Sequence, residues 1–161
     1  MRYFTNTSRL QIANHIRRFA LIIGINDYLT ERNLRGAVAD AKAIKDYLEE
    51  VVRVPEGHIR TLFDGEATRD AMIQAFEDLR DNQRICHSDP IVIYYAGHGG
   101  ELDPPPAWNV KRKIQCLLPH DYRPTNIHPI PDRTIGSLIE NIAKLKGDNI
   151  VSIVLFSAPI F

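Results

Sequence analysis

The chain has 161 residues, 44% of them hydrophobic and 25% charged, with 20 basic residues balancing 20 acidic ones. That length suits one domain with its own core, and the absence of net charge argues against a nucleic-acid footprint or a polybasic membrane patch. No apolar run approaches the roughly 18 residues of a membrane span, the amino terminus lacks a secretory pattern, and two cysteines, Cys86 and Cys116, cannot build a disulfide framework. A reducing, cytoplasmic setting is expected.

Residues 1–18 show no period and read as an N-terminal arm, leaving 19–161 as the domain. Phe19 to Ile25 is a continuous apolar run, the mark of a strand buried on both faces. Asn26, Asp27 and Tyr28 follow as a polar exit loop. Ala37, Ala41, Ile44, Leu48 and Val51 recur at helical spacing and predict the inner face of a first helix. Pro55-Glu56-Gly57 is a turn, and Ile59 to Phe63 a second, short strand. Thr68 is placed to cap a second helix whose inner face is Met72, Ile73, Phe76 and Leu79.

Ile91 to Tyr95 predicts a third buried strand, preceded by Pro90 and stopped by Ala96-Gly97-His98-Gly99-Gly100. The glycines allow a sharp turn and a close approach by another group. Glu101 to Pro106 reads as irregular, because three successive prolines exclude regular structure. Ile114 to Leu118 is an extra β element, and Pro119 to Pro131 another loop. Asp132 is expected to cap a third helix with Ile135, Leu138, Ile139, Ile142 and Leu145 inward and Gly147 as its terminator. Asn149 to Phe156 predicts a fourth buried strand. Strands alternating with crossover helices imply a three-layer α/β/α sandwich with a mostly parallel sheet.

His98 is the main candidate for chemistry. It should lie just beyond the carboxyl end of a central strand, where open α/β sheets place ligands. Imidazole titrates near neutrality and serves as a general acid or base. Cys116 with His120, and His128 or Cys86-His87, are spaced too loosely for a metal site, so no metal and no cofactor is expected.

Tyr94-Tyr95-Ala96-Gly97-His98-Gly99 resembles the catalytic-histidine motif of caspase-like cysteine peptidases (peptidase C14 type), especially the metacaspase-like proteins of fungi. Ala20 to Tyr28, Leu34 to Ala41 and Ile130 to Ile135 resemble further stretches of that family, in the same order. The resemblance implies a caspase-like sheet with core strand order 2-1-3-4. It implies an endopeptidase acting on peptide or protein substrates, in the setting of programmed cell death. By the same resemblance His98 is the general base of a Cys–His pair, and the Gly99 backbone N–H helps hold the oxyanion.

The family's nucleophile, in an Asp-x-Cys-His-Ser-Gly type sequence after the fourth strand, has no counterpart here. Phe156-Ser157-Ala158-Pro159 stands in that place, near the roughly 50-residue His-to-Cys spacing of caspases. Ser157 is a poor substitute, since a hydroxyl is far less acidic than a thiol. Cys86-His87-Ser88 imitates the motif by letters but precedes the third strand. Cys116 reads as a small buried hydrophobe. The expectation is a domain truncated after its fourth core strand and inactive as it stands. The alternative is a non-catalytic interaction module whose open fourth-strand edge receives a family-member chain.

Overall fold

The computed structural model describes residues 17–104 and 112–156. Most of the expected arm (1–16), Pro105, Pro106 and Ser157 therefore lie outside the described residues. A four-stranded parallel sheet is built from β1 (Phe19–Gly24), β2 (Ile59–Phe63), β3 (Ile91–Gly97) and β7 (Ile150–Phe156), in the order β2-β1-β3-β7. This is the expected core order. A second, antiparallel sheet follows β3 and consists of β4 (Gly99–Leu102), β5 (Ile114–Leu117) and β6 (Ile130–Pro131).

The period-two alternation of β1 and β3 distributes their side chains between two cores. Ala20, Ile22, Tyr94 and Ala96 face α1 (Ala37–Glu50). Phe19, Leu21, Ile23, Ile91, Ile93 and Tyr95 face the opposite layer, with α2 (Arg69–Asp81), α3 (Asp132–Lys146) and the small sheet. All six residues of β1 are buried, so its unbroken apolar run reflects cover on both sides. Thr68 caps α2 by accepting the Ala71 N–H at 3.2 Å. The buried Lys146 donates from Nζ to the Asn82 and Ile85 carbonyls, tying the end of α3 to the loop before β3.

The structure corrects several expectations. Glu101 and Leu102, expected to be irregular, belong to β4 and pair antiparallel with β5, and Ile130–Pro131, read as loop, pairs with β5 from the other side. Both strands owe their order to long-range pairing that local composition does not register. Asp132 is the first residue of α3, and Pro131 takes the cap position. Val51, the residue that ends α1, and Leu145 near the end of α3 are exposed rather than inward. The largest correction concerns β7. It pairs with β3 as expected but is not buried: Val151 to Phe156 are all exposed. Of this strand, Ile150 is the residue that packs against a core cluster.

At Gly24 the backbone of β1 meets α1. A methyl group there would lie 2.6 Å from Ala41 Cβ and 3.1 Å from the Ala37 carbonyl oxygen. Gly24→Ala is therefore expected to cost about 1–3 kcal/mol through overpacking, read as a lower urea midpoint with an unchanged slope. An unaltered midpoint would mean that α1 docks with slack.

Candidate active site

β3 carries the chain to Gly97, and β4 begins at Gly99, so His98 is the single residue between two sheets. Neither flanking glycine has a positive φ, so close approach rather than a left-handed turn explains them. A side chain at Gly97 would meet the Tyr28 and Tyr95 hydroxyl oxygens, each at 2.6 Å. A side chain at Gly99 would fall on the ring of Phe156, the last residue of β7. The larger residues pressed against these glycines come from the β1 exit loop, from β3 itself and from β7.

His98 is only 4% exposed. Its Nε2 lies 2.7 Å from the Arg32 carbonyl oxygen. A carbonyl only accepts, so Nε2 bears the hydrogen in the neutral ring and Nδ1 carries the lone pair. Nδ1 is buried and has no hydrogen-bond partner among the described residues. Leaving such an atom unpaired costs about 1–3 kcal/mol, which marks a position held for something other than stability.

The backbone N–H and carbonyl of His98 itself are both engaged. The His98 N–H donates to Tyr28 Oη at 2.7 Å, and the Tyr28 ring lies against the imidazole at 4.6 Å between centroids. The Tyr95 hydroxyl reaches the His98 carbonyl at 2.8 Å and the Leu118 carbonyl at 3.0 Å. The β1 exit loop that supplies Tyr28 and Arg32 is itself pinned. Asp64, held at φ 45, accepts the Asn26 and Asp27 N–H groups on Oδ1. Asn33 accepts the Tyr28 N–H, and the His120 ring donates from Nδ1 to the Asp27 carbonyl at 2.7 Å.

Antiparallel partners alternate between hydrogen-bonded and non-hydrogen-bonded pairs. The Leu118 N–H donates to the His98 carbonyl at 3.1 Å, which makes Gly99–Leu117 a pair of the second kind. The Gly99 N–H therefore points away from β5 and is not consumed by the β4–β5 ladder. Gly99, Gly100, Glu101, Gln115 and Phe156 line a cleft of about 220 Å³.

The other sequence candidates are dispersed. Cys86 is exposed and precedes β3, at the end of the strand opposite His98; the neighbouring His87 Nδ1 is 2.9 Å from Ser88 Oγ. Cys116 is buried, and desolvation pushes its thiol up to about 11, the wrong direction for a nucleophile. Among the described residues no group of three or more His, Cys, Asp and Glu side chains is arranged to hold a metal ion. No helix of the described residues is long and apolar enough to cross a membrane. The sequence reading misses Tyr28, Tyr95, Arg32 and Phe156 as contributors to the site. A tyrosine two residues into an otherwise polar exit loop is the one signal that was available.

Burial pushes the Tyr28 hydroxyl up from 10.0 to about 12, and Tyr95 well above its ordinary value for the same reason. In the unfolded chain both titrate near 10. Between pH 10 and 12 the unfolded state thus binds fewer protons, and stability falls as pH rises. The urea midpoint is expected to hold up to about pH 10 and drop steeply above it, with a smaller drop in Tyr28→Phe. Equal drops in the two proteins would remove Tyr28 from this account.

The profile of the caspase domain family matches residues 17–156. Metacaspase-1 of Eremothecium gossypii is 29% identical over 132 residues, covering 78% of this chain and 28% of that protein. Metacaspase-1 of Pyricularia oryzae is 27% identical over 122 residues, covering 72% and 30%. Metacaspase-1 of Saccharomyces cerevisiae is 35% identical over 94 residues, covering 54% and 21%. The chain thus spans less than a third of the length of each of these relatives. A crystal structure of a Geobacter sulfurreducens protein shares the fold with a TM-score of 0.65 at 20% identity, over 86% of this chain and 48% of that one.

Proposed function

Because the chain belongs to the caspase domain family, we propose that residues 19–161 are the histidine-bearing part of a cysteine-type endopeptidase domain, with His98 as the general base and the Gly99 N–H as an oxyanion donor. The observation that carries this reading is the buried Nδ1 of His98, unpartnered among the described residues, with its lone pair fixed by the Arg32 carbonyl. In the reaction such a site serves, a cysteine thiol passes its proton to that nitrogen and the thiolate attacks a peptide carbonyl. The developing oxyanion takes a hydrogen bond from a backbone donor already in place, which requires no reorganisation when charge develops. The proton then goes from the imidazolium to the leaving amine. The Gly99 N–H, free of the β4–β5 ladder, supports the donor role.

The thiol itself has no counterpart among the 161 residues. Cys86 and Cys116 are the two cysteines of the sequence; one lies at the wrong end of β3 and the other is buried with its thiol held protonated. We therefore assign no thiol-peptidase turnover to this chain by itself. Peptide or protein substrates, a role in programmed cell death and a reducing, cytoplasmic location belong to the same proposal. A second reading, a non-catalytic interaction module, draws its support from the exposed apolar face of β7.

Reporter peptides with Arg, Lys or Asp before the scissile bond separate activity from its absence. The purified chain is expected to cleave none of them faster than His98→Ala does. Cleavage that needs a reducing agent and disappears in His98→Ala would contradict the inactive assignment.

A further inference from the structure

The Gly99 N–H and the His98 carbonyl belong to one peptide unit. A trans peptide is planar, so its C=O and N–H point in opposite directions, and no cis bond occurs among the described residues. Whatever holds the carbonyl therefore aims the N–H. Residue 99 itself does not fix that direction, because glycine takes positive and negative φ about equally readily. Left unheld, this peptide is free to turn over. It would then present a carbonyl oxygen where the N–H now stands, and repel an oxyanion instead of binding one.

Two donors hold the His98 carbonyl: the Leu118 N–H at 3.1 Å and the Tyr95 hydroxyl at 2.8 Å. Both lone pairs of that oxygen are thereby used. The buried Tyr95 hydroxyl also lies 3.0 Å from the Leu118 carbonyl. Carbonyls only accept, so the single phenolic hydrogen is directed at these two oxygens; pointed elsewhere, it would leave lone pairs facing lone pairs. The hydrogen bond between the Tyr28 and Tyr95 hydroxyls is then donated by Tyr28. Tyr28 Oη in turn accepts the His98 N–H at 2.7 Å. A closed circuit thus runs from the His98 N–H through two phenols to the His98 carbonyl. Hydrogen bonds in such a chain polarise one another, and a polarised carbonyl makes the N–H of its own peptide a stronger donor. We propose that Tyr95 is a positioning residue for the oxyanion donor: its hydroxyl locks the His98–Gly99 peptide against turning over and strengthens the Gly99 N–H. The assignment rests on the oxyanion role given to Gly99 above.

Nuclear magnetic resonance of the full chain, labelled with carbon-13 and nitrogen-15, tests this in wild type, Tyr95→Phe and Tyr28→Phe. In wild type the Tyr95 hydroxyl proton is expected as a slowly exchanging signal with a cross-peak to the Leu118 amide proton. Tyr95→Phe is expected to move the His98 carbonyl carbon and the Gly99 amide proton upfield and to broaden the Gly99 signal, with the His98 ring nitrogens unchanged. Tyr28→Phe should act chiefly on the His98 amide proton and move Gly99 less than Tyr95→Phe does. A general loosening of the site would not separate the two variants in this way. A rapidly exchanging Tyr95 hydroxyl in wild type would overturn the proposal, and that measurement stands even where Tyr95→Phe fails to fold. Gly99 signals that stay in place in a folded Tyr95→Phe would overturn it too. Failure of the underlying reading looks different. A His98 hydrogen on Nδ1 in wild type would remove the base, and with it the oxyanion role assumed here, whether or not Tyr95→Phe moves Gly99.

Discussion

The hydrogen bond between His98 Nε2 and the Arg32 carbonyl joins two distant parts of the chain at 2.7 Å. It requires the β1 exit loop to fold back over the end of β3. That loop is fixed in turn by Asp64 on its own backbone, by Asn33 within it and by His120 from beyond β5. The close packing at Gly97 follows from the same demand, because Tyr28 and Tyr95 hold the His98 backbone on either side. What this network secures is a single orientation of one imidazole, with its acceptor nitrogen buried and unspent. An atom left that way is destabilising on its own, so the surrounding bonds must hold it in place.

Much of this architecture is legible in the sequence, for physical reasons that can be named. Strands buried on both faces leave unbroken apolar runs, as in Phe19 to Ile25, and half-buried helices leave a 3.6-residue stripe, as in α2. His98 and Gly99 are visible because a histidine among glycines at a strand end is unusual. Other features leave no such trace. Arg32 contributes a backbone carbonyl, which any residue supplies. Tyr28 acts through a hydroxyl whose partner is 70 positions away. β4 and β6 are short and contain glycine or proline, and their order comes from pairing with β5. β7 exposes the central ambiguity: an apolar run reads the same whether helices cover it or solvent does.

That ambiguity connects the fold to the function. The parallel sheet positions the base and the backbone donor without help from β7 beyond Phe156. Among the described residues, β7 pairs with β3 alone, and Val151 to Phe156 are exposed. Phe156, the last residue of β7, lies against Gly99 and lines the cleft beside it.

The central claim is that the His98 ring is locked with its hydrogen on Nε2 and its lone pair on Nδ1. Long-range proton–nitrogen correlation spectra of the nitrogen-15-labelled chain read this directly. In the neutral ring the account predicts a protonated-type signal for Nε2 and an unprotonated-type signal for Nδ1. A hydrogen on Nδ1, or averaged signals from a ring exchanging between tautomers, would contradict it.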